Sequence, residues 1–425
     1  MSAIRVALIG LGRRAWGVYF PILKALKDKL ELAAVCDRAR QSVDEAAEHL
    51  GVPGFCSVRE LVPAGVAEAA IICTPIESHH AMSLFLSRSG VHQVCETSMA
   101  MTLRQCREMV AAARDAGVTL HVNEQFFREP VIAFTRQIIQ AGIIGQVGRI
   151  TYYHGHTGYH NNSIWQLYGG GKPAAVNAFT HAMPVHAYLD GAGRWQKEEG
   201  FRLRLLHFAG GLLGLDMAGN IKSALGRCPR PGYLEIDGTD GAIVAQPYDR
   251  PAPWTGKAEV RLVAQEDWER GAYAESFPIE RLTMVGHRVN ISDRLTHGGE
   301  FHKLRCRLPG RTVEYDNPML EYGLTDGYLS SVAASLMDFH AQVRQHAEPE
   351  FGLEQAVASA EMESAFARSV ELGGGRVELP FAEETQAERA ALAAVRSQYG
   401  VDPMDVDAMI DVAFPKNYVP EAGTN

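Results

Sequence analysis

Short apolar runs alternate with amphipathic stretches over the first part of the chain. The runs have the continuous apolar character of strands buried on both faces, and they lie at 4–9, 32–36, 69–73, 93–95 and 118–122. Helical periodicity between them predicts helices from just after Ala15 to about Leu30 and at 43–50, 79–90 and 102–117. Strands and helices that alternate in this way predict a doubly wound parallel sheet, a Rossmann fold.

The pattern changes after about residue 145. Strand-like runs separated by glycine turns, from 201 to about 315, predict a large, mostly antiparallel open sheet. Helical patterns return at 327–372, and a charged helix is predicted at 384–398. We therefore predict an α/β protein whose parts are a Rossmann domain (1–122), an α+β domain (123–383) whose last helix packs back on the Rossmann domain, and a C-terminal extension (384–425).

Composition narrows the class of protein. The chain has 425 residues, of which 46% are hydrophobic and 21% charged, as expected of a globular protein with a substantial core. A net charge of −9 makes nucleic acid a poor partner. We find neither an apolar stretch of the ~18 residues that a membrane span needs nor a secretory signal. Seven scattered cysteines without C-x-x-C are expected to be reduced thiols in the cytoplasm.

A glycine turn follows the first predicted strand. Gly10, Gly12 and Ala15 have the spacing G-x-G-x-x-A, and Arg13 and Arg14 complete the turn. In this motif the first glycine permits a tight turn, the second lets backbone approach a pyrophosphate, and the third position keeps the helix close to the strand. The free N–H groups at the start of the helix favour an anion. The turn therefore predicts a dinucleotide site.

Asp37 stands at the end of the second predicted strand, 22 positions after Ala15. A carboxylate there accepts hydrogen bonds from ribose hydroxyls and repels a 2′-phosphate, which favours NAD. Arg38 and Arg40 are adjacent and could hold that phosphate instead. We predict NAD as the cofactor, with NADP as the alternative.

From residue 4 to about 380 the order of motifs resembles the Gfo/Idh/MocA family of oxidoreductases. The matching pieces are Gly10 to Ala15, Cys73-Thr74-Pro75 with His79, Glu96, 142–145, 169–171, 234–241 and 339–380. The resemblance implies a second domain whose open sheet faces the nicotinamide and mediates a homo-oligomer, a dimer or tetramer. The cofactor-binding residues it implies, together with the motif residues, are Gly10, Gly12, Arg13, Arg14, Ala15, Asp37, Arg38, Cys73, Thr74, Pro75, His79, Glu96 and Asn123.

The implied catalytic positions depart from the family pattern. Members typically carry Glu-Lys-Pro where this chain has Glu96-Thr97-Ser98, and an Asp and His four apart on a helix where it has Asn177 and His181. Thr97 and Asn177 cannot take a proton near neutral pH. We therefore expect His181 to act as the acid/base and Asn177 as a substrate anchor, since imidazole titrates near neutral pH. Lys172 is a candidate replacement base.

Histidines and aromatic residues cluster before these positions. His154, His156, Tyr159 and His160 are expected on a strand that leads into a loop, with Trp165 and Tyr168 close behind. Three interpretations are open: a metal site, a pocket that binds polyol hydroxyls with Trp165 and Tyr168 stacked on a sugar face, or unrelated histidines. The pocket is favoured, and no metal site is predicted.

The extension beyond residue 400 contains the apolar run 409–414. This run predicts a segment that docks on a neighbouring subunit or covers a pocket, unless the tail is disordered.

Three functions are compatible with these features. The first is an NAD(P)-dependent oxidoreductase of a sugar, sugar derivative, cyclitol or similar polyhydroxylated molecule. The second is an NAD-dependent lyase or hydrolase that oxidises its substrate transiently, with His154, His156 or His160 as extra acid/base groups. The third is a non-catalytic nucleotide-binding sensor or subunit, supported by Thr97 and Asn177.

Overall fold

A computed structural model describes most of the chain. It covers residues 2–154, 158–189, 195–219, 233–245, 256–263, 274–286, 288–295 and 299–415. Contacts divide the chain into two compact units. The first comprises Met1–Glu124, Val332–Ser364 and Ala382–Asn425, and the second comprises Gln125–Ser331 and Ala365–Phe381.

The first unit contains a six-stranded parallel sheet in the order β3-β2-β1-β4-β5-β6. Its strands are β1 (Ile4–Ile9), β2 (Leu30–Cys36), β3 (Gly54–Phe55), β4 (Ala69–Ile72), β5 (His92–Cys95) and β6 (Leu120–Val122). The strand order runs outward in both directions from β1 and β4, so a crevice forms where their carboxyl ends diverge. The predicted Rossmann sheet is confirmed.

Helices of the first unit follow the strands. They are a π-helical turn (Ala15–Tyr19) that runs into α1 (Phe20–Ala25), then α2 (Arg40–Leu50), α3 (Val58–Leu61), α4 (Ile76–Arg88) and α5 (Leu103–Asp115). The prediction of one helix to about residue 30 was wrong, because 26–29 form a turn and Leu30 is already a fully buried residue of β2. The polar run 27–29 offers no apolar side chain that would continue the helix.

The second unit contains a twelve-stranded sheet, in the order β17-β16-β14-β13-β12-β11-β7-β10-β9-β8-β18 with β15 paired to β14. Its strands are β7 (Val147–His154), β8 (Ala175–Leu189), β9 (Trp195–His207), β10 (Leu213–Gly219), β11 (Tyr233–Gly238), β12 (Gly241–Ala245), β13 (Ala258–Leu262), β14 (Glu275–Val285), β15 (Arg288–Ser292), β16 (Lys303–Leu308), β17 (Arg311–Asp316) and β18 (Val377–Glu378). Apart from a parallel β7–β10 pair, the described ladders are antiparallel, which confirms the predicted open sheet.

The remaining helices complete the chain. They are 3₁₀ turns at Phe126–Arg128 and Leu320–Tyr322, α6 (Pro130–Gln140), α7 (Gly158–Tyr168), α8 (Gly327–Gln345), α9 (Leu353–Glu371), α10 (Gln386–Tyr399) and α11 (Val406–Met409). Helix α10 begins with a capping box, in which the Thr385 hydroxyl accepts from the Glu388 N–H and the Glu388 carboxylate accepts from the Thr385 N–H.

Two local predictions in the second unit were wrong. Asn177 and His181 lie on a strand, β8, because that segment pairs with β9, where Asn177 is opposite Leu205 and His181 is opposite Phe201. A fifteen-residue strand replaces the expected helix. Tyr159 and His160 belong to α7 rather than to a strand and loop, since their segment buries its residues against the unit's interior.

Candidate functional site

The glycine turn of the first unit joins β1 to the first helix. Gly10 has φ of +96°, and a Cβ there would lie 2.6 Å from the carbonyl oxygen of Cys73, so only glycine lets this turn approach the end of β4. A Cβ on Gly12 would meet no protein atom within 4 Å. The turn therefore packs against protein at Gly10 and is open at Gly12. Backbone that binds a diphosphate needs such an open side.

A cavity of about 360 Å³ lies on the open side. Nine of the predicted cofactor residues line it, namely Gly10, Gly12, Arg13, Arg14, Asp37, Arg38, Cys73, Thr74 and Pro75. Its opposite wall is formed by residues 409–410 and 412–415 of the C-terminal extension. The cavity is thus enclosed by groups from the carboxyl ends of β1, β2 and β4 and by the tail, all within the first unit.

Asp37 fixes the shape of the turn. Its Oδ2 accepts a hydrogen bond from the Leu11 N–H at 2.9 Å, and its Oδ1 accepts from the Ala39 N–H at 2.9 Å. These bonds hold the glycine turn against the end of β2. A carboxylate at the end of this strand has the acceptor chemistry that ribose hydroxyls require.

The other predicted cofactor residues lie behind the cavity wall. Glu96 Oε1 accepts from Arg14 Nε at 2.7 Å and from the Tyr19 hydroxyl at 2.5 Å, and that hydroxyl oxygen accepts from Asn123 Nδ2 at 2.8 Å. Burial and the neighbouring Glu96 carboxylate raise the pKa of Tyr19, which keeps the phenol a donor. The network ties the first helix to the ends of β5 and β6, with Ala15 buried beside it.

His79 joins two loops of the same edge. Its Nε2 lies 2.8 Å from the Thr74 carbonyl oxygen and its Nδ1 lies 2.9 Å from the Ser98 carbonyl oxygen. Burial lowers the pKa of His79, although both carbonyls oppose that shift. Thr97, beside it, donates its N–H to Glu96 Oε2 at 3.2 Å, and the Thr97–Ser98 peptide is cis. His79 thus shapes the wall without lining the cavity.

In the second unit, Asn177 and His181 share one face of β8, as residues four apart on a strand do, about 13 Å from each other. Asn177 Nδ2 donates to the Gly374 carbonyl at 2.9 Å, and its Oδ1 accepts from His207 Nε2 at 2.9 Å. Burial lowers the pKa of His207, which favours the neutral ring. His181 is exposed. The two side chains therefore differ in setting, with Asn177 held by neighbours and His181 open to solvent.

The predicted pocket of histidines and aromatic residues is largely packed. Tyr159 and His160 are buried, and the His160 ring stacks on Phe126 with centroids 4.1 Å apart. Trp165 is fully buried and donates its Nε1–H to Asp216 Oδ2 at 2.8 Å. This placement leaves the Trp165 ring no open face on which a sugar could stack.

The remaining candidates of this group are Lys172, His154, His156 and Tyr168. Lys172 is exposed. The His154 side chain and His156 lie outside the described residues, and the Tyr168 hydroxyl, whose pKa burial raises, shares a hydrogen bond with Thr135 Oγ1 at 2.6 Å. Among the described residues no group of three or more His, Cys, Asp or Glu is placed to hold a metal ion. Within the same residues, no helix has the length and apolar character to cross a membrane.

One feature of the second unit was missed from the sequence. It is the buried ion pair of Arg204 with Asp216, which also accepts from Trp165 and, at 3.2 Å, from Asn161. The position of the C-terminal segment on the cavity is, by contrast, one of the alternatives that the apolar run 409–414 predicted.

The family comparison agrees with this geometry. Residues 4–124 match the model of the Gfo/Idh/MocA oxidoreductase family, NAD-binding Rossmann fold. The predicted resemblance of this part of the chain to the Gfo/Idh/MocA oxidoreductases and the predicted NAD-type cofactor are confirmed.

Curated relatives match only part of the chain. An α-N-acetylgalactosaminidase of Shewanella oneidensis is 26% identical over 179 residues, which are 39% of this chain and 37% of that protein. A 1,5-anhydro-D-fructose reductase of Ensifer adhaerens is 40% identical over 90 residues, 21% of this chain and 27% of that protein. The chain thus spans well under half the length of the relatives it matches.

Solved structures extend the likeness in fold to most of the chain. An NAD binding oxidoreductase from Klebsiella pneumoniae has a TM-score of 0.64 at 18% identity, covering 90% of this chain and 100% of that one. A levoglucosan dehydrogenase, in complex with NADH and levoglucosan, has a TM-score of 0.62 at 18% identity, covering 89% and 100%. At such identities the likeness describes the fold alone.

Proposed function

We propose that this protein is an NAD(P)-dependent oxidoreductase that acts on a carbinol carbon of a sugar, sugar derivative, cyclitol or similar polyhydroxylated small molecule. The observation that carries the proposal is the open side of the Gly10–Gly12 turn, which lines a cavity bordered by Asp37, in a chain whose residues 4–124 match an oxidoreductase family model. The sugar-acting names among its relatives support the substrate class.

The residues present fit a dinucleotide. Gly12 lines the cavity and a Cβ there would meet no protein atom within 4 Å, so the turn leaves room for a diphosphate next to backbone N–H groups. Arg13 adds positive charge to the same turn, where Arg14 pairs with Glu96, and the Asp37 carboxylate stands at the position that recognises a ribose. Bound NAD⁺ supplies the hydride acceptor.

When the hydride leaves the carbinol carbon, a side chain of the protein must accept the proton of the substrate hydroxyl. We assign that role to His181, whose exposed imidazole is accessible to a substrate. Asn177 would orient the substrate through its second amide N–H, since one N–H is already given to Gly374. Thr97 would contribute a hydroxyl in place of the family lysine. His154, His156, Tyr159, His160, Trp165 and Lys172 remain weaker substrate candidates, with Trp165 disfavoured by its burial.

A second candidate function is favoured by the α-N-acetylgalactosaminidase match. In this second function the substrate is oxidised only transiently. A glycosidic bond is cleaved by elimination, water is added, and the hydride returns to the sugar. The products then form without net NADH.

One assay separates these functions. The purified protein is incubated with NAD⁺ and a panel of polyols, sugars and aryl N-acetylgalactosaminides, while NADH absorbance and aryl release are followed together. Stoichiometric NADH supports the oxidoreductase, and aryl release without NADH supports the transient oxidation. Binding of NAD⁺ without turnover of any substrate would instead favour a sensor. Restoring Thr97→Lys with Asn177→Asp would then be expected to create activity, whereas an adapted enzyme would lose it.

We further propose a homo-oligomer formed through the large sheet, in a cytoplasmic setting. Met284, Val289 and Ile291 on β14 and β15 are 41%, 55% and 47% exposed, which is unusual for adjacent apolar side chains and supports a buried sheet face in the assembly. The described cysteines are free thiols, which supports a reducing compartment. Light scattering with Ile291→Glu tests the assembly, because the charged variant should dissociate it.

A further inference from the structure

The tail segment, residues 406–415, packs in a defined position against other elements of the first unit. Helix α11 packs against α4, and Met409 and Ile410 are 0% and 3% exposed. The Phe414 ring meets the Tyr399 ring of α10 edge to face, with centroids 5.0 Å apart. The Asp405 side chain caps α11 by accepting from the Ala408 N–H at 3.1 Å. The segment is therefore an ordered part of the cavity wall.

Two carboxylates of the tail segment pair with Arg38, which lines the cavity, and with Arg59, which follows the lining residue Val58. Arg59 Nη2 lies 2.9 Å from Asp407 Oδ1, and Arg59 Nε lies 3.2 Å from Asp411 Oδ2. Arg38 Nη1 lies 3.5 Å from Asp411 Oδ1. Exposed ion pairs of this kind contribute little to the stability of the fold. We expect their main effect to be on the net charge at the edge of the cavity.

The charge matters because of where Arg38 stands. Asp37 and Arg38 directly follow β2, the position at which a Rossmann domain recognises the ribose next to the adenine. A free arginine there is the group that accepts the 2′-phosphate of NADP. Asp411 already pairs with Arg38, and Arg40 lies 3.8 Å from Asp44 on its own helix.

We propose that the tail segment forms the outer wall of the adenosine end of the cofactor site, and that Asp411, by pairing with Arg38, sets a preference for NAD over NADP. Ile410, Val412 and Phe414 give that wall an apolar surface suited to the face of a nucleobase. A carboxylate at Asp411 would repel a 2′-phosphate, and the pairing removes the cation that would attract it. The inference rests on the proposed cofactor site but not on the proposed reaction or substrate.

The test measures binding of NAD⁺ and NADP⁺ by calorimetry to the full chain and three variants. Asp411→Asn frees Arg38 while keeping the shape of the side chain, so Kd for NADP⁺ should fall about five- to tenfold while Kd for NAD⁺ stays within about twofold. Asp407→Asn is the matched control, since it removes the same charge from the same segment but touches Arg59 alone. In Asp407→Asn, the ratio of Kd for NADP⁺ to Kd for NAD⁺ should equal that of the wild type.

Phe414→Ala tests the wall itself. Its Kd for both dinucleotides should rise together, by about three- to fivefold, through loss of apolar contact. Thermal unfolding of each variant shows whether the fold is kept. An unchanged Kd ratio in Asp411→Asn, an equal shift in Asp407→Asn, or tighter binding in Phe414→Ala would overturn the inference while leaving the cofactor site intact. A wild-type chain that binds neither dinucleotide would overturn both.

Discussion

Gly10 and Gly12 stand two residues apart in one turn, yet they should respond to the same substitution in opposite ways. Gly10→Ala forces a side chain onto a φ of +96° and brings its Cβ to 2.6 Å from the Cys73 carbonyl oxygen. The left-handed conformation costs about 1–2 kcal/mol and the backbone contact adds to it, so we expect a loss of about 3 kcal/mol in the free energy of unfolding. Gly12→Ala meets no atom within 4 Å and carries no left-handed strain.

Gly12→Ala should therefore fold as well as the wild type, or better by about 0.4–1 kcal/mol, because alanine restricts the unfolded chain. Its methyl group enters the space against the diphosphate, and Gly12→Val enters it further. We expect Kd for NAD⁺ to rise at least about tenfold, which is about 1.4 kcal/mol of binding free energy.

Urea unfolding and calorimetric titration with NAD⁺ measure the two quantities separately. Gly65→Ala is the control, since Gly65 has φ of +62° but open space around it, so it should lose stability modestly and leave NAD⁺ binding unchanged. Wild-type affinity in Gly12→Val would refute the assignment of this turn to the diphosphate.

Three further outcomes follow from the contacts of buried side chains. Asp216→Ala removes the carboxylate that pairs with the buried Arg204 and should cost about 3–5 kcal/mol in urea unfolding, and a loss below about 1 kcal/mol would contradict the pairing. Asn177→Ala removes the hydrogen bond to Gly374 and should cost about 1–3 kcal/mol, whereas an unchanged unfolding midpoint would point to a role in substrate binding alone. Burial lowers the pKa of His79 below the ordinary value of about 6.5, so the unfolded chain binds more protons than the folded one as the pH falls through that value. The stability that is present above that pH should therefore decline as the pH is lowered below it. His79→Asn should reduce that decline, and an equal decline in variant and wild type would remove His79 as its cause.

The first unit was predictable because its signals are local. The apolar runs of β1 and β4, the turn at Gly10 and the aspartate after β2 each lie within a few residues of the structure that they specify. Even there, the end of α1 was misplaced, since only the packing of Leu30 into β2 decides where the turn begins.

The second unit was less predictable because its partners are distant in sequence. Asn177 and His181 fit a helix by spacing, but β9 provides a ladder that begins only at Trp195. Arg204 and Asp216 are directly opposite on β9 and β10, a pairing that depends on strand register. Local periodicity carries no information about register across separate strands.

The tail segment shows the same limit over a longer distance. Its apolar run predicted docking, but its partner Arg59 precedes Asp407 by 348 positions along the chain. No spacing rule connects positions so far apart. Only the folded first unit brings the end of β2, the start of α3 and the tail to one cavity.

Hydrogen exchange of the full chain with and without NAD⁺ tests the central claim most directly. The account predicts that saturating NAD⁺ slows amide exchange in peptides that span the Gly10–Ala15 turn, Asp37–Ala39 and the tail segment, while peptides from β14 to β17 are unchanged. Exchange that NAD⁺ at millimolar concentration leaves unaltered at the turn would contradict a dinucleotide site there.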